Sequence, residues 1–231
     1  DDPRQPGTTA YYLLRALAPE EGRGSRFQPR HVRPQSLTRE GLAAVPLVAA
    51  GYLGMLTADR AELLAEFLDG GGGLLLFAGE GPVDRNLTAL ETAFRAGGLL
   101  PWQPGPRRTP LGSKEPWRIT GGRWQSRWLR AFDEQSQLAV ADIPFRQTWS
   151  TGAIAPETDV LLTFQDGSPA LGVRAVGRGM LLLANFSPEP TTSDLARHGA
   201  FVAEEELRFH PGKPLRVFGA SEDVVGGSRR A

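Results

Sequence analysis

Cysteine is absent from this chain of 231 residues, which removes structural disulfides, cysteine-ligated zinc and any reaction begun by a thiolate. Histidine is scarce, with only His31, His198 and His210. Lysine occurs only at Lys114 and Lys213, so arginine carries nearly all the positive charge, a bias we assign to genomic base composition rather than to chemistry. An excess of either sign is missing too: 26 basic residues balance 26 acidic ones, and no electrostatic case exists for nucleic acid or an anionic membrane surface as partner. No apolar run approaches the roughly 20 residues of a membrane span, and no signal peptide opens the chain. The first residues are Asp1-Asp2-Pro3 rather than a methionine, so we expect a piece excised from a longer polypeptide whose flanks hold any targeting information.

What is present reads as α/β. The best-defined stretch is Ala58 to Gly81. Thr57 can cap a helix there, Asp59 and Glu62 lie in its first turn where the helix dipole favours them, and Ala61, Leu64, Ala65 and Leu68 recur on one face. Gly70 to Gly73 end that helix. Leu74-Leu75-Leu76-Phe77 then forms a strand apolar on both faces, which implies an interior parallel strand with layers above and below. Its exit, Ala78-Gly79-Glu80-Gly81, lies at the carboxyl end of the strand, where open α/β sheets hold their ligands.

Around this unit the expectations are as follows. A short helix carries Tyr11, Leu13, Leu14 and Leu17, and Arg26 to Arg33 is a weak strand. Leu42 to Ala50 is a second buried strand centred on Val45-Pro46-Leu47-Val48. A helix runs from Val83 to Arg95 with Leu87, Leu90, Ala93 and Phe94 on one face. Leu99 to Gly122, with five prolines, is a long irregular excursion, and Trp124 to Phe132 is a short helix. Four strands follow, at Ile143 to Ser150, Val160 to Phe164, Ala170 to Val176 and Met180 to Phe186. They are antiparallel, because their connections are too short for helical crossovers, and Asp166-Gly167 and Gly177-Arg178-Gly179 are turns. A last helix spans Ser193 to Phe209. Residues 1–212 form one α/β domain. Residues 213–231 hold a strand-like piece, Leu215 to Phe218, and a flexible tail that could start a following domain.

The pieces Asp1-Asp2-Pro3, Arg15-Ala16-Leu17-Ala18-Pro19, Gly70 to Gly79, Asp166 to Leu171, Gly177 to Leu182 and Ser193-Asp194-Leu195 with Phe201-Val202 resemble the extracytoplasmic domain of bacterial membrane proteins with a BatA-type (aerotolerance regulator) amino-terminal region. The resemblance implies a three-layer α/β/α flavodoxin-like fold, class I glutamine-amidotransferase-like, with an antiparallel extension of the sheet. It implies a domain facing the periplasm or exterior of the cytoplasmic membrane, with membrane helices outside this chain. It also implies a first strand missing from the fragment or supplied by Leu215 to Phe218. Class I amidotransferases place a cysteine in a Gly-x-Cys-x-Gly turn after the strand equivalent to Leu74 to Phe77. Gly79 stands at that nucleophile position here, so the amidotransferase reaction has no nucleophile.

Several other groups deserve weighing for chemistry. Glu80 is a candidate base or ligand holder beside Gly79 and Gly81, against the plainer reading of a solvated carboxylate. Asp194 and His198, four apart on one expected helix face, are a candidate acid/base pair, against a helix-terminal charge and a surface histidine. Gly70 to Gly73 precedes its strand, so it is no phosphate cradle. Trp102, Trp117, Trp124 and Trp128, interleaved with arginines, form either a partner-binding surface or a loop pinned to the core; Trp102 and Trp117 are the candidates for partner contact. No residue pattern demands a metal or a cofactor. The function expected is a non-catalytic interaction or ligand-sensing module with an unidentified protein partner. The alternatives are a hydrolase using non-cysteine chemistry and a structural spacer.

Overall fold

The computed structural model describes residues 4–17, 28–51, 53–79, 82–94, 98–109 and 115–197. The chain is an α/β protein. Its helices are α1 (Thr9–Leu17), α2 (Arg39–Ala43), α3 (Ala58–Asp69), α4 (Val83–Ala93) and α5 (Glu134–Ala141). Its strands are β1 (Leu47–Ala50), β2 (Gly73–Phe77), β3 (Trp102–Arg108), β4 (Ile119–Gly122), β5 (Thr148–Ile154), β6 (Asp159–Phe164), β7 (Pro169–Val176) and β8 (Gly179–Ala184). Six strands make a mixed sheet in the order β1-β2-β8-β7-β6-β4, and β3 and β5 pair in a separate ribbon. β1, β2 and β8 run parallel, whereas β8, β7, β6 and β4 alternate in direction.

The local sequence explains the parallel unit. Ala61, Leu64, Ala65 and Leu68 are the buried face of α3, and each fully covered leucine contributes about 2 kcal/mol of apolar burial. Thr57 sits at the N-cap with extended backbone, yet its side chain makes no capping bond. β2 is apolar on both faces because both faces are covered. Leu74 and Leu76, with Leu181 and Leu183 of β8, join α3 and α4 in one core. Leu75 and Phe77, with Leu182 and Ala184, turn to a second core containing Phe145, Phe164, Phe186 and Trp128. This is the period of two that a strand imposes. Gly177 at φ 56° and Gly167 at φ 79° turn the chain at either end of β7.

Several expectations are corrected. Leu99 to Gly122 is not irregular, since it contributes β3 and β4. Pro104 and Pro106 are tolerated because β3 pairs only with β5, with register shifts on either side of Pro104. Trp124 to Phe132 is a series of turns closed by Ser126 N–H to Arg123 O, Leu129 N–H to Ser126 O and Phe132 N–H to Leu129 O. The second buried strand is shorter than expected, because Leu42 belongs to α2, where the Thr38 hydroxyl caps Gly41 N–H at 3.1 Å. The strand expected from Ile143 begins only at Thr148, and α5 before it had no counterpart in the sequence reading; Asp133 caps it by accepting from Ser136 N–H at 2.7 Å. Residues 28–33 have no regular structure. Only the single turn Leu195–Arg197 represents the last helix, and the remainder, like Leu215 to Phe218, lies outside the described residues. β2 has β1 on one side and β8 on the other, so no vacant position awaits a missing strand beside it.

Candidate functional site

The parallel strands β1, β2 and β8 end together, and the segments that leave them meet there. From β1 comes Gly51, from β2 Ala78 and Gly79, and from β8 the run Asn185 to Glu189. Ala78 N–H donates to Ala184 O at 2.8 Å, which holds the exits of β2 and β8 side by side.

At Gly79 there is no room for a side chain. A Cβ there would stand 2.9 Å from the Gly51 carbonyl oxygen and 3.1 Å from Ser187 Oγ. The position where the amidotransferase pattern has its nucleophile is therefore occupied by neighbouring backbone and by a serine hydroxyl. Gly51 is closed in the same way, because an added Cβ would fall 1.7 Å from Cγ2 of Thr9 at the start of α1.

Beside these glycines lies a buried polar cluster. Thr9, Asn185, Ser187, Glu189, Thr192 and Ser193 are all buried. Thr9 Oγ1 donates to Glu189 Oε1 at 2.5 Å. Ser187 Oγ accepts from Glu189 N–H at 3.3 Å. Ser193 Oγ donates to Ser187 O at 2.6 Å, and Thr192 Oγ1 donates to Glu189 O at 2.9 Å. These bonds wrap Ser187 to Ser193 into a fixed loop. Asn185 fastens the ribbon to the sheet: its Nδ2 donates to Trp149 O at 2.7 Å and Pro169 O at 3.1 Å, and its Oδ1 accepts from Trp149 N–H at 3.2 Å. The Trp149 indole N–H reaches Ala78 O at 3.3 Å. Chemically the cluster offers one buried carboxylate and four hydroxyls at the end of the parallel strands.

The residues expected from sequence are placed differently. Glu80, Gly81 and His198 lie outside the described residues, so only Ala78 and Gly79 of that turn are seen. Asp194 is engaged by arginines, Arg146 at 2.7 Å and Arg197 at 3.6 Å, which makes it a structural anion at the end of the Ser187 loop. Trp102 is 2% exposed and lies over Gly172, where an added Cβ would be 2.4 Å from its ring. It is a core residue and offers no surface to a partner. Trp117 is half-buried at the edge of the second core, with the Arg108 guanidinium 5.0 Å from its ring. Among the described residues no group of three or more His, Asp or Glu side chains is placed to hold a metal. Ser187, Glu189 and Thr9 escaped the sequence reading. The available signal was Asn185-Phe186-Ser187-Pro188-Glu189, polar residues directly after an apolar strand, at the same sheet end as Ala78-Gly79.

The fold and this crevice define an α/β domain built on a mixed sheet. No family model matches the chain, and no curated protein is similar to it. Among solved structures it is similar to the cytoplasmic protein STM3548 from Salmonella typhimurium, at 16% identity and a TM-score of 0.54, over 84% of this chain and 82% of that one. It is also similar to the cytoplasmic protein STM1381 from Salmonella typhimurium LT2, at 17% identity and a TM-score of 0.52, over 78% and 76%. A β-galactosidase from Rahnella sp. R3 aligns at 16% identity and a TM-score of 0.50, over 84% of this chain but only 26% of its own. At such identities the likeness is one of fold alone.

These findings overturn the expected membership in the BatA-type, amidotransferase-like family of membrane proteins. The similarities found lie with proteins named as cytoplasmic and with part of a glycosidase. The expected placement on the outer side of a cytoplasmic membrane falls with it, and among the described residues no helix is long and apolar enough to cross a membrane. The physical reason is that the short glycine-rich pieces behind the resemblance mark helix exits and strand turns, punctuation that α/β sheets share whatever their family.

Proposed function

We propose that the chain is a non-catalytic interaction or ligand-sensing module on an α/β scaffold. The observation that carries this reading is the filling of the strand-end position at Gly79 by the Gly51 carbonyl and Ser187 Oγ. A nucleophile with a side chain does not fit there, and the buried hydroxyls around it are spent on holding the Ser187 to Ser193 loop. The finer architecture belongs to the same proposal: a flavodoxin-like α/β/α arrangement with an antiparallel extension, supported by apolar cores on both faces of β2 and β8. So does the division into a domain of residues 1–212 and a separate piece of residues 213–231. An unidentified protein partner belongs to it as well.

The test is a turnover screen of the purified chain against nitrophenyl esters, amides, phosphates and β-galactosides. The expected result is no rate above buffer. Turnover of any substrate class that disappears in Glu189→Gln or Ser187→Ala would replace this reading with a hydrolase working at the same crevice, and would make the buried carboxylate its acid or base.

A further inference from the structure

A cavity of about 190 Å³ lies between α1, the chain at 30–37 and β1. Val48, Ala49, Ala50 and Gly51 all line it. Consecutive strand residues point alternately to opposite faces, so Val48, Ala49 and Ala50 of β1 border one cavity together only along the strand's edge. Among the described strands β1 is terminal in the six-stranded sheet, with β2 on its other side, and an edge strand directs backbone groups outward from the ladder. The walls are apolar, with Leu13 and Leu17 of α1 facing Leu37 and Leu53. Among the described residues the lining includes Arg30, His31 and Arg33 but no aspartate or glutamate. Arg33 is exposed, and no ion pair between described residues involves it.

An aliphatic cavity of about 150 Å³ is enough to take a benzene ring. This one adds room for one or two further carbons. A guanidinium forks onto a carboxylate through two parallel hydrogen bonds, which suits a ligand with a single negative charge. We propose that the cavity binds a small monocarboxylic acid with an apolar body of roughly six to eight carbons, an arylacetic acid being the type. The hydrocarbon lies against Leu13, Leu17 and Leu37, and the carboxylate lies at the mouth between Arg33 and the outer edge of β1. The inference rests on the ligand-sensing reading above and names its ligand class. Turnover tests that reading and equilibrium binding tests this one, so the two can fail separately.

The experiment is isothermal titration of the purified chain with phenylacetate, phenylacetamide and acetate, repeated on Arg33→Gln and Ala10→Phe. Arg33 is a surface residue, so its variant keeps the fold. Ala10 is half-buried on α1 and lines the cavity, so a phenyl group there occupies the ligand's volume. Phenylacetate is expected to bind, and to raise the melting temperature by mass action. Phenylacetamide and the Arg33→Gln variant should each weaken binding about tenfold. Acetate should not bind, and Ala10→Phe should abolish binding while its circular dichroism stays native. Absence of phenylacetate binding at about 10 mM, near the weak limit of specific association, overturns the proposal. Equal affinity for phenylacetamide, or no loss in Arg33→Gln, also overturns it.

Discussion

Thr9 and Glu189, 180 positions apart in the chain, are joined by a 2.5 Å hydrogen bond at the carboxyl end of the parallel strands. Both are buried, and the Thr9 methyl rests where a side chain on Gly51 would have to go. The bond thereby docks α1 onto the exit of β1 and onto the loop that follows β8. Replacing Thr9 by valine keeps the shape and leaves Glu189 Oε1 without that donor. The expected cost is about 1–3 kcal/mol, the loss of one buried hydrogen bond to a carboxyl group. Urea denaturation at neutral pH measures it, and a change below about 0.3 kcal/mol, too small for a buried group, would show that the bond is not made.

Gly51→Ala should destabilise by about 1–3 kcal/mol through overpacking, because the new methyl would meet Thr9 Cγ2 at 1.7 Å. Thr9→Ser removes that methyl and keeps the hydroxyl. The double variant should therefore recover part of the loss, a non-additivity that a double-mutant cycle reads directly.

Gly79→Ala presses on the Gly51 carbonyl and on Ser187 Oγ. Backbone yields less readily than a side chain, so adding Ser187→Gly should relieve only the serine half of the strain. Gly79→Cys should be destabilised similarly and gain no amidase activity, because its thiol would enter a filled space. A stable, active Gly79→Cys enzyme would contradict the packing described.

Asn185→Leu removes two hydrogen bonds to Trp149 of the ribbon and a third to Pro169 of the sheet. Two backbone carbonyls and one N–H lose their partner, and the expected loss is about 2–4 kcal/mol. Trp149 should also loosen from Ala78 O, which a red shift of tryptophan emission would report before global unfolding.

Acid should weaken the hairpin between β6 and β7 through Asp166. Its partial burial pushes the carboxyl upward, but the Ser168 hydroxyl and amide and the Arg108 guanidinium outweigh that and hold it near a pKa of about 2, below the ordinary 3.8. A depressed carboxyl contributes stability above its unfolded value and loses it as pH falls through the folded one. The loss therefore runs between about pH 4 and 2, and it is modest because the side chain is 38% exposed. Asp166→Asn should flatten the stability profile in that window and lower stability modestly above it, where the ionised carboxylate contributes. A carboxyl titration by NMR with a midpoint at the ordinary value would refute the assignment.

The parallel unit was legible because its signal is local. Ala61, Leu64, Ala65 and Leu68 repeat at helical spacing, and Leu74 to Phe77 is apolar throughout, so helix and strand follow from residues a few positions apart. β7 and β8 were legible for the same reason, with glycine turns bounding them. β3 was not, because Pro104 and Pro106 argue against a strand and only the pairing with β5 makes one. Trp102 was misjudged because its arginine neighbours suggest a surface, whereas Gly172 of a distant strand leaves the gap that buries it.

By itself the sequence determined that thiol and disulfide chemistry are excluded, that the sheet has a doubly covered strand at Leu74 to Phe77, and that Gly79 brings no nucleophile. The tertiary structure alone decided what stands over that glycine. Thr9, Gly51, Gly79, Ser187 and Glu189 come from four separate segments, and no period or spacing along the chain links them. They converge because parallel strands end together and the segments leaving them must share one small volume, where burial obliges each polar group to find its partner among the others.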